Sequence, residues 1–184
     1  SNATQVQVDD ALYNLLAAKA ALVIGDGMAF LPNTVSMRAS VEADEDNDIF
    51  NVYDQDVETY AHFSANQTTD SYLMFRFDRV FGLSAVSIVS NHATDYIRSA
   101  DIYLSEDGET WTKVGSVTGS ANNENAMIAA WGEYVNAQYV KIALTENADA
   151  QWAVNEVSFN FGPAQSEPPV SDIPTYVLDT NGID

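Results

Sequence analysis

The sequence has 184 residues, 46% of them hydrophobic, and its 27 acidic and 7 basic side chains give a net charge of −20 at pH 7. A field of that sign repels phosphate backbones and anionic lipid surfaces, so it argues against nucleic-acid and membrane binding and favours cations and neutral ligands such as sugars. The absence of cysteine excludes disulfides, thiolate catalysis and cysteine-based zinc sites, and two histidines are too few for a histidine-rich metal site.

The N-terminal segment, residues 1–30, is predicted to be a lead-in to the main domain. Its first three residues, Ser1–Ala3, have the character of a remnant left by tag cleavage. After Asp9 or Asp10, leucines recur at helical spacing until Gly25 ends the pattern, so a short amphipathic helix is expected. Its most apolar window contains a lysine and is too short to span a bilayer.

After this segment the sequence changes to short stretches with a hydrophobic residue at every second position, which is the period of a strand with one buried face. Four stretches show it clearly: Tyr72–Asp78, Ala100–Leu104, Val140–Leu144 and Val157–Phe161. Between the second and third, Glu106–Glu109 supplies Asp-Gly turn residues for a hairpin. Many short strands separated by turns indicate an all-β sandwich or jelly roll over residues 31–162.

From residue 163 the sequence is polar and rich in proline, with no periodicity. We interpret residues 163–184 as a linker leading to a neighbouring domain of the same parent chain.

An acid-rich loop, Asn51–Thr59, places three acids and a threonine within nine residues. Ca²⁺ takes six to eight oxygen ligands from carboxylates, carbonyls and hydroxyls, and a tight turn with acids two apart can supply several. A merely solvated loop explains the same composition. A second acidic run, Asp44–Asp48, opens like an EF-hand loop, but Ile49 and Gln55 stand where a glycine and a bidentate glutamate are needed. We therefore predict that this second run is a solvated loop.

The succession of segments resembles the F5/8 type C (discoidin) family, close to the family 32 carbohydrate-binding modules. The landmarks are the D-x-D-x-x-T turn at Asp54–Thr59, the I-Y-L-S-E-D-G-E-T-W hairpin from Ile102, the Y-V-K-I strand from Tyr139 and the N-E-V-S-F strand from Asn155. The resemblance covers roughly residues 33–162. It implies an eight-stranded jelly-roll β-sandwich of the galactose-binding-like kind, preceded here by the short N-terminal helix.

The resemblance also implies a structural Ca²⁺ that joins the acid-rich loop to the last strand. Side chains, backbone carbonyls or both would supply its oxygen ligands from six residues: Asn51, Asp54, Asp56, Thr59, Asn155 and Glu156. Such an ion would stabilise the fold because it binds only the folded state and bridges segments far apart in the sequence.

Sugar-binding members of the family use loops at one end of the sandwich, where an aromatic ring stacks on the sugar and polar groups bind its hydroxyls. The candidate ligand-binding residues are Tyr60, His62, Phe63, His92, Asp95, Tyr96 and Trp152. Phe63 and Trp152 fit a place in the core equally well. Sugar binders usually have an arginine in the loop before the I-Y-L-S strand and often a tryptophan after the threonine, whereas this chain has Asn91-His92-Ala93 and Tyr60-Ala61-His62-Phe63.

No Ser-His-Asp arrangement, phosphate-binding glycine loop or nucleotide fingerprint is present, so we expect no catalytic activity. The sequence therefore predicts a non-catalytic, glycan-binding module of a larger secreted or surface protein of a bacterium. The alternative is a structural or protein-interaction module of the same fold with no sugar site.

Overall fold

The computed structural model describes residue 32 and residues 34–165. The predicted N-terminal helix and most of the proline-rich segment lie outside this range. The described residues form eight strands and one 3-10 helix. In chain order they are β1 (Val35–Ala39), the 3-10 helix (Ile49–Tyr53), β2 (Ala61–Phe63), β3 (Tyr72–Val89), β4 (Ser99–Ser105), β5 (Thr112–Thr118), β6 (Met127–Leu144), β7 (Trp152–Val154) and β8 (Glu156–Gly162). Within the same range, no helix has the length and hydropathy needed to cross a membrane.

All strand pairs are antiparallel, and the main sheet has the order β1-β3-β6-β4-β5 with β8 also paired to β3. The long strands β3 and β6 change partners along their length, because the register shifts between Arg76 and Phe81. Before the shift β3 pairs with β1, and from Gly82 onwards it pairs with β8. The two long strands thereby contribute to both layers of a β-sandwich. The predicted eight-stranded galactose-binding-like sandwich is confirmed.

The period-two residues predicted to be buried do form the core. Leu73, Phe75 and Phe77 of β3 are at most 1% exposed. Phe75 meets Phe159 of β8 with ring centroids 5.0 Å apart, and Phe77 meets Phe161 at 5.0 Å. Edge-to-face contacts of this kind hold aromatic layers together beyond the area they bury. Strand alternation, which is local, correctly identified the inner face.

The β4–β5 connection is the predicted hairpin. Gly108 adopts a φ of 81°, in the left-handed region that glycine tolerates, and a Cβ there would lie 3.2 Å from the Tyr139 ring. Asp107 accepts hydrogen bonds from the backbone N–H groups of Thr110 and Glu109 and from the Ser105 hydroxyl. These bonds lower the pKa of Asp107 to about 2, because they favour its charged form.

Candidate functional site

Two loops meet beside the small β2–β7 sheet at one end of the sandwich. The acid-rich loop enters β2, and residues 90–98 connect β3 to β4. Ala61 pairs with Val154 and Phe63 with Trp152, and the Ala153 N–H donates to the Asp95 carbonyl at 2.6 Å. This pairing brings the Tyr60–Phe63 segment against the second loop.

Tyr60, His62 and His92 form a ring cluster at this junction. The Tyr60 and His92 ring centroids are 5.4 Å apart, and the His62 and His92 rings lie 6.1 Å apart at an interplanar angle of 29°. The Asp95 carboxylate lies between the histidines, with Oδ2 3.3 Å from His62 Nε2 and 3.5 Å from His92 Nδ1. Four of the seven predicted ligand-binding residues are thus brought together.

His62 is held by carboxylates on both sides. Its Nδ1 lies 2.5 Å from Asp44 Oδ2, and its Nε2 contacts Asp95. Burial lowers the pKa of His62, but the hydrogen bonds and charges of Asp44 and Asp95 outweigh it, so the pKa is raised. With both nitrogens engaged, His62 orients Asp95 within the site. The prediction of a solvated loop is wrong for Asp44, because its carboxylate binds this histidine.

The His62 contacts predict a pH-dependent contribution to stability. Because the folded-state pKa of His62 is raised, this contribution is fully present below the usual value near 6.5 and is lost as the pH rises through the folded-state pKa. We expect the melting temperature of His62→Gln, measured by circular dichroism, to fall less between pH 6 and 8 than that of the unsubstituted protein. Glu156, whose pKa is raised to about 7, is unchanged in the variant, so its contribution cancels in the comparison. Parallel curves would contradict the assignment.

His92 and Tyr60 remain accessible to a ligand. The His92 side chain is 30% exposed, against 16% for His62, and Tyr60 is half-buried. No hydrogen bond to His92 Nδ1 is found among the described residues, since the 3.5 Å separation from Asp95 is too long for one. The exposed part of the site is therefore a tyrosine and a histidine ring beside a carboxylate.

Phe63 and Trp152 are not ligand-binding residues, which corrects the prediction. Both are 0% exposed, and their rings stack with centroids 3.8 Å apart and an interplanar angle of 16°. In β2 the side chains of Ala61 and Phe63 face inward, while His62 between them faces outward. The stacked pair forms the buried side of the β2–β7 sheet.

Tyr96 lies outside the ring cluster. The guanidinium carbon of Arg98 lies 3.7 Å from the centroid of the Tyr96 ring. Arg98 also donates hydrogen bonds to the backbone carbonyls of Tyr96 and Thr94. Gln67, 1% exposed, donates to the Tyr96 carbonyl and accepts from the Arg98 N–H. Sequence reasoning missed Gln67 and Arg98, because a single polar residue among polar neighbours carries no periodic signal.

The acid-rich loop converges with the start of β8. The Thr59 hydroxyl lies 2.7 Å from Asp54 Oδ2 and 2.9 Å from the Asp56 carbonyl. Glu156 Oε2 accepts from the Gln55 N–H at 2.9 Å, across 101 positions of sequence. Burial raises the pKa of Glu156 to about 7, and the charges of Asp54 and Asp56 add to the shift although the Gln55 N–H opposes it.

The two predicted asparagine ligands have well-defined side-chain roles. Asn51 Nδ2 donates to the Tyr60 carbonyl at 3.0 Å. Asn155, 6% exposed, donates to the carbonyls of Val57 and Thr59 and accepts from the Asn91 N–H at 2.8 Å. Asn155 therefore fastens both loops to β8 through its amide.

The chemistry of this donor set fits a hard cation. The carboxylates, carbonyls and hydroxyl all offer oxygen, and no described lysine or arginine forms an ion pair with Asp54, Asp56 or Glu156. Nowhere between residues 34 and 165 do three histidine or acidic side chains converge as ligands. An ion here would therefore rely on the Thr59 hydroxyl and backbone carbonyls as well as on carboxylates.

A family model described as the F5/8 type C domain matches residues 36–157. A comparison with curated proteins finds no match.

Three similar solved structures come from Clostridium perfringens. The first, CBM32-1 of a family 31 glycoside hydrolase, is 16% identical with a TM-score of 0.62, and the match covers 73% of this chain and 99% of that one. The family 32 module of NanJ in complex with galactose is 15% identical with a TM-score of 0.59, covering 68% and 92%. The CBM32-1 and CBM32-2 domains of ZmpB in complex with GalNAc are 17% identical with a TM-score of 0.62, covering 76% and 37%.

Proposed function

Because the chain belongs to the F5/8 type C domain family, we propose that it is a non-catalytic carbohydrate-binding module of a larger secreted or surface protein. The ring cluster carries this proposal: partly exposed Tyr60 and His92 stand beside the Asp95 carboxylate at the loop end. A sugar needs a ring for its apolar face and acceptors for its hydroxyls, and this site offers both.

A neighbouring cleft supports the same assignment. It has a volume of about 360 Å³ and is lined by Val57, Glu58, Val89, Asn91 and Glu124. Glu58 and Asn91 are close in sequence to Tyr60 and His92, and the Asn122 N–H donates to the His92 carbonyl at 3.1 Å. A glycan seated on the rings would therefore reach further hydrogen-bonding side chains in the cleft.

Galactose and GalNAc are the first ligands to test, since two of the similar structures hold these sugars. We expect Tyr60→Ala and His92→Ala each to weaken glycan binding by roughly 5- to 30-fold, equivalent to about 1–2 kcal/mol, because each removes a contact surface for the sugar ring. A glycan array followed by titration calorimetry measures this.

The control is Tyr134→Ala. Tyr134 is 39% exposed and packs against Gly162, at the opposite end of β8 from Glu156, so its loss should leave affinity unchanged. If no glycan binds, or if the loop variants bind as well as the unsubstituted protein, the sugar site is refuted and a protein-interaction module is favoured.

The proposed module also holds a structural Ca²⁺ at the acid-rich loop. Asp54, Asp56, Thr59 and Glu156 would bind it with oxygen atoms, together with the carbonyls of Asn51 and Asn155. The ion would neutralise carboxylates that have no basic partner among the described residues, and would fix the loop from which Tyr60 projects. The donor chemistry and the raised pKa of Glu156 support this assignment.

A further inference from the structure

The outer surface of the β1-β3-β6-β4-β5 sheet concentrates the few basic residues of this acidic chain. Directly paired residues of antiparallel strands point to the same side. The register forms one row across all five strands: Arg38, Met74, Lys141, Tyr103 and Lys113. A second row contains Arg76 beside Tyr139. We call this surface the basic face.

Six of the seven basic residues are described, and four of these six lie on the basic face. The two others are used elsewhere: Arg79 lies over the Phe81 ring and Arg98 holds the Tyr96 loop. Lys113 forms an ion pair with Asp101 at 2.7 Å. Among the described residues, Arg38, Arg76 and Lys141 have no acidic partner within ion-pair distance.

Aromatic rings hold two of these cations, Arg76 and Lys141, in place. Lys141 Nζ lies 4.4 Å from the Trp111 ring centroid and 5.3 Å from that of Tyr103. The guanidinium carbon of Arg76 is 5.7 Å from the centroid of Tyr139, which in turn contacts Trp111 edge to face. All three rings are half-buried, so part of each remains accessible. Cations anchored on rings lose little freedom when they bind an anion.

We propose that the basic face is a second binding site, separate from the ring cluster, for a polysaccharide that carries carboxylates. Neighbouring strands are about 4.8 Å apart, and Arg38, Lys141 and Lys113 stand on every second strand of the row, so these cations recur at about 10 Å, close to the length of two sugar units. Arginine and lysine pair with carboxylates, and the flanking rings suit the apolar faces of sugars. A polymer lying across the strands meets both features.

The net charge of −20 does not prevent this contact. At physiological ionic strength, charges more than about 8 Å away are largely screened, so the local groups dominate. On the basic face those are Arg38, Arg76 and Lys141 together with the paired Lys113 and Asp101, and Asp78 at its edge. The acidic turn between β4 and β5 borders the face, since Gly108 lies against the Tyr139 ring. Within the sheet itself the cations outnumber the acids.

Affinity electrophoresis and calorimetry with polygalacturonate test the proposal, with the fully methyl-esterified polymer as the uncharged control. We expect the protein to bind the charged polymer at least tenfold more tightly. Arg76→Gln combined with Lys141→Gln should weaken binding at least tenfold. Arg79→Gln, which removes one positive charge outside the basic face, and Tyr60→Ala, at the loop site, should each change it less than twofold. Equal melting temperatures exclude unfolding as the cause.

Absence of binding to polygalacturonate would overturn the proposal, as would an equal loss in Arg79→Gln. Equally tight binding of polyphosphate would replace the carboxylate specificity with a general affinity for polyanions. A dimer in sedimentation analysis that the double variant abolishes would assign the face to a second copy of the chain. Galactose binding by the double variant measures the ring cluster separately. Each of the two proposed binding sites can therefore be refuted without refuting the other.

Discussion

Adding calcium to the metal-free protein at pH 7.5 is expected to raise its melting temperature by about 5–10 °C. A ligand that binds only the folded state at a hundred times its Kd stabilises that state by about 2.7 kcal/mol, and each kcal/mol shifts the midpoint of a domain of this size by a few degrees. Differential scanning fluorimetry with chelator and with excess calcium measures the shift directly.

Glu156→Gln separates the ion from general electrostatics. Burial and its acidic neighbours raise the pKa of Glu156 to about 7, so at pH 7.5 the carboxylate is mostly but not fully charged. A shift of this size represents roughly 3 kcal/mol, of which solvent screening leaves about 1–2 kcal/mol. The variant should therefore be more stable than the unsubstituted protein without calcium, since glutamine keeps an acceptor for the Gln55 N–H, and should gain little when calcium is added.

The matched control is Asp70→Asn, an exposed acid outside the acid-rich loop. It should leave the calcium shift intact. If calcium produces no shift, or produces the same shift in Glu156→Gln, then the acid-rich loop is not a structural cation site.

Trp152→Ala is expected to lower the free energy of unfolding by about 3–5 kcal/mol, the range for truncating a large buried aromatic side chain. Trp152 is fully buried and stacks on Phe63, so the substitution leaves a cavity beneath the β2–β7 sheet and removes a ring contact. Urea denaturation followed by circular dichroism measures the loss.

Trp152→Phe is the informative partner variant. The indole Nε1 has no hydrogen-bond partner among the described residues, so phenylalanine removes an unsatisfied polar group while keeping a ring for stacking. We expect a loss below about 1.5 kcal/mol. If the alanine variant instead loses less than about 1 kcal/mol of stability but loses glycan binding, Trp152 contacts ligand and the buried position is wrong.

Much of the fold was predictable because its signals are local. Alternation in Tyr72–Asp78 is a property of consecutive side chains, and the Asp-Gly pair of the β4–β5 hairpin is a property of two residues. Loop positions are also predictable in part: Tyr60, His62, His92 and Asp95 stand in two short segments that combine rings with polar groups. The partner of His62 in the run Asp44–Asp48 is not predictable, because eighteen positions separate Asp44 from His62 and no pattern connects them.

The sequence by itself determined one stretch in each of β3, β4, β6 and β8, the inner face of the sandwich and its family, because these depend on periodicity and on the order of short motifs. Only the tertiary structure decided which aromatic residues are available to a ligand. Phe63 and His62 are neighbours in one strand, and the pairing of β2 with β7 buries the first while the second projects towards Asp44 and Asp95. The basic face has the same origin: Arg38, Arg76 and Lys141 share a surface because hydrogen-bond register between distant strands places them there.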